Sequence, residues 1–338
     1  MTRLLALGAV VLAAGFGATA EAAARPTHFT PGVVASADHV RSARAAGLLG
    51  ARVVRVEFDI GTPASGLRRT VAAIAKRGAT PLVLAGFYRR LPTEAEARNV
   101  ASWAAMFGPG ARFWRHRRHR HPVRLIEFGN ETSYVDQYGD SFDAPSYAIR
   151  AETYASRFAQ AQAAIHRTHR RVGLLAQGDD GGTGSRVWVD HMFQAVPRLA
   201  HMVAGWTVHP YGPRWRWESK MHSVVRQTAA HGASRRIPID VTEYGVSSDN
   251  GAWLTDNYGW PSDETYSEAA ADLRRTVAEM RSERMLRRRL RLFLVYAAYD
   301  LRPPLVSNDR EHYFGALRHN LTRKGAYTAE VRRLMSRR

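Results

Sequence analysis

The 338-residue chain has no cysteine, so no disulfide and no thiolate chemistry enters the argument. A chain of this length buries a core large enough to do without cross-links. Lysine is almost missing as well: of 49 basic residues only Lys76, Lys220 and Lys324 are lysines, and the formal charge of +19 is carried by arginine. No glycine-rich phosphate loop follows the first strand-like segment, which argues against a nucleotide-binding sheet. Long apolar runs are lacking too. Leu4–Phe16 is the apolar stretch of the first residues, shorter than the roughly 20 residues a spanning helix needs. With Arg3 before it and "ATAEAAA" after it, residues 1–24 read as a signal peptide, and the chain is expected to be secreted. Residues 25–338 show no linker and read as one domain.

What the chain has is alternation. Strand patterns begin at "HFTPGVVAS", "RVVRVEFDIG", "ATPLVLAGFY", "PVRLIEFG", "VGLLAQGD", "MVAGWTVHPYG", "IPIDVTEYG" and "LRLFLVYAAYD", and each is followed by a helical pattern. Thr93 with Glu96 three residues on predicts the cap of the third helix. Eight strand–helix units in a row predict an α/β fold with a parallel sheet closed into a (β/α)8 barrel.

Two of these strands end in a glutamate. "LIEFGNE" places Asn130-Glu131 after the fourth strand, and "IDVTE" places Glu243 at the end of the seventh. Two carboxyl groups at one barrel mouth suit the cleavage of a glycosidic bond, with Glu131 as acid/base and Glu243 as nucleophile, roughly 5–5.5 Å apart. A general acid needs a raised pKa, which burial beside a second carboxylate would supply to Glu131. Asn130 is expected to donate to a sugar hydroxyl. Glu127 shares strand parity with Glu131, faces inward, and needs a cation, for which Arg55 in the second strand is the candidate. His209 and Tyr211 share a parity after the sixth strand, and Tyr211 or Tyr244 is placed to hydrogen-bond Glu243. Trp215, Trp217, Trp253, Tyr258 and Trp260 read as loop aromatics suited to stacking on sugar rings.

With these residues in view, the chain resembles a clan A glycoside hydrolase, the cellulase-like barrel superfamily that includes family five. Asn130-Glu131, Glu243, Arg55, His209, Tyr211 and "YFGAL…KGAY" carry the resemblance, which covers nearly the whole of residues 25–338. It implies a retaining double displacement on a β-linked oligo- or polysaccharide, with no cofactor and no metal. One departure stands out: where the family often has a tryptophan after strand eight, this chain offers Tyr296 and Tyr299 as sugar platforms. Another specificity of the same clan, such as a xylosidase or glucuronidase, fits the same residues. So does a catalytically silent barrel that binds carbohydrate or a polyanion.

The basic runs "RFWRHRRHRH", "HRTHRR", Arg235-Arg236 and "RMLRRRLR" each precede a strand, which puts them at the barrel end opposite the glutamates. An anionic cell-wall or matrix polymer is the partner such a face fits, rather than a specific nucleic acid. His116, His119 and His121 give only a faint zinc signal. A monomer is expected.

Overall fold

A computed structural model describes residues 29–139, 145–168, 170–178, 187–234, 236–286, 288–302 and 307–336. The expected signal peptide, residues 1–24, lies outside the described residues, as does Arg235. Eight strands, β1 (Thr30–Ala35), β2 (Val53–Asp59), β3 (Thr80–Gly86), β4 (Leu125–Phe128), β5 (Gly173–Gln177), β6 (Gly205–Val208), β7 (Ile239–Tyr244) and β8 (Leu290–Val295), pair in sequence order. Every pairing is parallel, and β8 pairs β1, so the sheet closes into a barrel.

The helices form the outer ring. They are α1 (His39–Leu49), α2 (Arg68–Lys76), α3 (Glu94–Phe107), α4 (Val135–Tyr138), α5 (Pro145–His166), α6 (Val187–Ala195), α7 (Arg214–Ala230), α8 (Tyr266–Ser282) and α9 (Gly325–Ser336). Thr93 and Glu96 form the expected reciprocal cap at the start of α3, and Thr265 with Glu268 repeats it at α8. No helix of the described residues is long and apolar enough to cross a membrane.

Alternation along the strands sorts the side chains into two cores. Outward-facing residues such as Val54, Val56, Val83, Ile126, Phe128 and Leu174 pack against the helices in one continuous cluster. Inward-facing Val34, Val53, Leu82, Leu175, Leu292 and Leu294 fill the barrel. Beside this apolar plug Asp240, the register partner of Leu292, is fully buried and pairs with Arg291, whose Nε is 3.0 Å from Oδ1 and Nη2 2.5 Å from Oδ2. Glycine is required at position 205 for that pair: a Cβ there would come within 2.5 Å of both partners. Above the plug the lining turns polar, and that layer positions the site.

Helix α7 corrects the sequence reading of two aromatics. It begins at Arg214 behind Pro213, so Trp215 and Trp217 are helical rather than loop residues. Trp217 is buried with Met221, Val224 and Thr228 along one helical stripe.

Candidate active site

Strand β2 supplies Arg55, pointing inward and 3% exposed. Its Nε donates to Glu127 Oε2 at 2.5 Å, Nη1 to Glu243 Oε1 at 2.5 Å and Nη2 to Asn130 Oδ1 at 2.7 Å. One guanidinium thereby fixes the ends of β4 and β7 to each other. Glu127, fully buried, also accepts from the Thr242 hydroxyl at 2.8 Å. Burial works to raise its pKa, but Arg55 and then His209 prevail and hold it near 2.

Glu131 lies beyond the end of β4 and is aimed by the turn that follows. Gly129 has φ 79° and Glu131 itself φ 46°, a left-handed conformation uncommon outside glycine. A Cβ at Gly129 would fall 2.5 Å from the Phe87 ring. From α5 the Tyr154 hydroxyl donates to the Phe128 carbonyl and accepts from the Gln177 amide, both at 2.8 Å, which ties down the strand end beneath this turn. Glu131 Oε2 accepts from Gln137 Nε2 of α4 at 2.6 Å, and Oε1 lies 3.0 Å from His209 Nδ1.

The hydrogen bonds of His209 settle its protonation. Thr242 gives its only proton to Glu127, so at 3.1 Å it accepts from His209 Nε2–H. One further proton then lies between Nδ1 and Glu131. Burial works to lower the imidazole pKa, but the charge of Glu243, the Glu127 carboxylate 3.8 Å away and the hydrogen bond to Glu131 raise it to about 10. Burial likewise favours a neutral Glu131, yet His209, followed by Lys220 and Arg55, brings its pKa below the usual carboxylate value. The expectation of a raised Glu131 is therefore corrected: its pKa is lowered, because the imidazole beside it is itself caged by three carboxylates and favours the charged pair.

Glu243 Oε2 accepts from the Tyr211 hydroxyl at 2.8 Å and Oε1 from Arg55. The pairing of β7 with β8 shifts register between Val241 and Tyr244. Thr242 and Glu243, though adjacent in sequence, both reach the interior network, and Tyr244 turns outward. The Tyr244 hydroxyl bonds Gly212 O at 3.1 Å and Thr276 at 2.9 Å on α8, so it does not reach Glu243. A carboxylate oxygen of Glu131, one of Glu243 and a nitrogen of His209 all lie within 4.8 Å of one another.

These groups open into a cavity of about 560 Å³ at the C-terminal ends of the strands. Arg55, Asn130, Glu131, Tyr211, Glu243 and Tyr299 line it. Asn130 Oδ1 is taken by Arg55, which leaves Nδ2 free to donate to a ligand. Tyr299 lies 2.6 Å from Ser36 Oγ, and Tyr296 lines the same wall. Of the five loop aromatics only Tyr258 reaches the cavity, stacked on Tyr211 with centroids 4.8 Å apart. Trp215 and Trp253 stand exposed outside it, and Trp217 and Trp260 are buried.

Two carboxylates of the cavity were not singled out from sequence. Glu57 follows Arg55 by two positions on β2, so strand parity was signal enough to find it. Tyr88 donates to Glu57 at 2.8 Å, and burial raises the Glu57 pKa. Glu311, facing Tyr258 at 3.3 Å, comes from the long connection after β8, where no periodicity points to it.

No family model matches the chain, and neither does any curated protein. Solved structures do. A Bacteroides uniformis β-glucuronidase superposes with a TM-score of 0.59 at 11% identity, over 90% of this chain and 35% of that one. A family 39 glycoside hydrolase from Bacteroides cellulosilyticus gives 0.56 at 18% identity, over 91% and 63%. A Thermomonospora fusca β-mannanase gives 0.51 at 14% identity, over 86% and 83%. The chain thus spans about a third of the length of the β-glucuronidase. At these identities the likeness establishes the fold, a (β/α)8 barrel of the kind that glycoside hydrolases use.

Proposed function

We propose that this chain is a secreted retaining glycoside hydrolase acting on a β-linked glycan, with Glu131 as acid/base and Glu243 as nucleophile. The observation that carries the reading is the convergence of the two carboxylates within 4.8 Å at one end of the barrel, in the floor of a single cavity. Separations near 5 Å suit direct attack by one carboxylate; inversion needs about 6.5–9.5 Å, to admit a water. The glycoside hydrolase neighbours agree with the reading at the level of the fold.

In the first step a Glu243 oxygen attacks the anomeric carbon while Glu131 gives its proton to the departing glycosidic oxygen. Glu131 obtains that proton from His209, whose Nδ1 lies 3.0 Å away. A sugar ring over Glu131 displaces water and raises the carboxyl pKa, which moves the shared proton from imidazole to carboxylate. In the second step Glu131 takes a proton from water, the hydroxide attacks the anomeric carbon, and Glu243 leaves as carboxylate. Arg55 and Tyr211, each donating to one of its oxygens, hold Glu243 aimed at that carbon. Asn130 Nδ2 donates to the hydroxyl next to the anomeric carbon, a contact that strengthens in the transition state.

A panel of aryl 2-deoxy-2-fluoro β-glycosides tests the assignment. The protein should gain the mass of one fluoroglycosyl group, and peptide mapping should place it on Glu243. Label on another residue would end the assignment. Turnover of aryl β-glycosides with no label on any would point to a different mechanism. Saturable glycan binding with no turnover on any glycoside would favour the silent barrel.

A further inference from the structure

Helix α7 carries Glu218 and His222 four residues apart, so both project from one face. Glu283, the residue that caps the end of α8, meets that face. One donor atom from each of the three lies within 4.8 Å of the other two. His222 Nε2 is 3.3 Å from Glu283 Oε1, yet it is buried and makes no hydrogen bond. An imidazole nitrogen that faces a carboxylate oxygen at this distance without a hydrogen bond is placed to share a cation with it.

The two carboxylates are preset. Glu283 Oε2 accepts from the backbone amides of Met285 and Leu286, at 2.5 and 2.9 Å, which turns Oε1 toward His222. Glu218 is steadied by Arg214 one turn earlier, at 3.0 and 3.3 Å. Surface pairs of that kind are worth about 0–1 kcal/mol, too little to withhold the carboxylate from a cation. Glu218 is 31% exposed, so solvent has access to the cluster.

We propose that Glu218, His222 and Glu283 form a binding site for a divalent transition-metal cation of the zinc class. One imidazole nitrogen and two carboxylate oxygens, with room for water, form a donor set that suits zinc. Calcium and magnesium ask for six or more oxygens instead. The site joins the helix that follows β6 to the end of the helix that follows β7. Between Glu218 and His222, on the other side of α7, Lys220 Nζ donates to Tyr134 Oη at 2.8 Å and to His209 O at 3.3 Å. The bound cation therefore acts as a clip on the helix that backs the catalytic mouth, and it does not depend on the reaction proposed above.

The test is titration of metal-free full-length protein with zinc chloride, read by calorimetry for stoichiometry and by the melting temperature. Wild type and Glu131→Gln should bind zinc at this site and melt higher with excess zinc. The Glu131→Gln arm separates the site from the Glu131–His209–Glu243 cluster. His222→Gln should lose one equivalent and its share of the thermal rise, and calcium chloride should give no rise in any variant. Cobalt chloride should give a visible absorption band in wild type that is missing in His222→Gln. Should His222→Gln not fold, Glu218→Gln, altered at a partly exposed position, should bind zinc at least about tenfold more weakly. Zinc binding of unchanged stoichiometry and affinity in the folded variants would overturn the proposal. So would a wild type whose melting temperature ignores zinc, or one that calcium stabilises equally.

Discussion

At the mouth of the barrel Arg55 is almost sealed from water and its guanidinium is divided among Glu127, Glu243 and Asn130. At the opposite end Arg115, Arg117, Arg118 and Arg120 before β4, Arg171 before β5 and Arg284 and Arg288 before β8 stand in solvent. The same residue type thus does different work at the two poles. A buried charge is stable only with its partners in place, so each charge at the mouth dictates the position of the next. At the far end the arginines are exposed, Arg117 and Arg120 reaching backbone carbonyls three to five residues away, and together they set the field of that face. Net charge is therefore a poor guide to the site, although it is the chain's most conspicuous compositional property.

The contrast is sharpest for activity. Glu243→Gln should lower kcat at least about 10⁴-fold on any aryl glycoside that wild type cleaves, since the covalent step disappears. Stability follows. Arg55→Met leaves Glu127 buried without its cation and should cost about 3–5 kcal/mol in urea unfolding at neutral pH. A loss under 1 kcal/mol would mean that the network holds without its arginine.

The pH dependence of stability tests the mouth from a second direction. The pKa of Glu127 falls from 4.5 unfolded to about 2 folded, so its contribution is complete above pH 4.5 and is lost as pH drops toward 2. The pKa of His209 rises from 6.5 to about 10, so its contribution is complete below pH 6.5 and is lost as pH climbs through 10. Unfolding free energies measured from pH 3 to 10 should therefore be highest between these limits. In His209→Asn the alkaline decline should be reduced; an unchanged decline would show that His209 is not the titrating group.

The smallest effect belongs to the far pole. Arg117, Arg118 and Arg120 changed together to Gln should alter unfolding free energy by no more than about 0.5 kcal/mol per residue, with kcat/KM unaffected. A large loss would mean that these arginines are structural after all.

Much of the barrel is legible in the sequence, because eight apolar strands alternate with helical stripes and each carries its own periodicity. The ion-pair partner of Arg55 is legible too, since Glu127 lies at an inward position and a buried carboxylate must find a cation. The outward turn of Tyr244 is not. It follows from a register shift between β7 and β8, set by the pairing of two strands remote in sequence. The start of α7 escapes because Pro213 and the "RWRW" run read as loop until Trp217 is seen to share a stripe with Met221. The lowered pKa of Glu131 depends on His209, brought from 78 residues away by barrel closure, and strand periodicity carries no trace of that contact.

The division of labour between the two glutamates is the central claim, and the anomeric configuration of azide products tests it most directly. Glu131→Ala and Glu243→Ala are each incubated with an activated aryl β-glycoside and sodium azide, and the glycosyl azide is read by NMR. Glu131→Ala still forms the glycosyl-enzyme, so azide attacks from the face of the departed aryl group and gives the β-azide. Glu243→Ala leaves the opposite face open, so azide displaces the aryl group directly and gives the α-azide. The same anomer from both variants, or the two reversed, would contradict the roles assigned here.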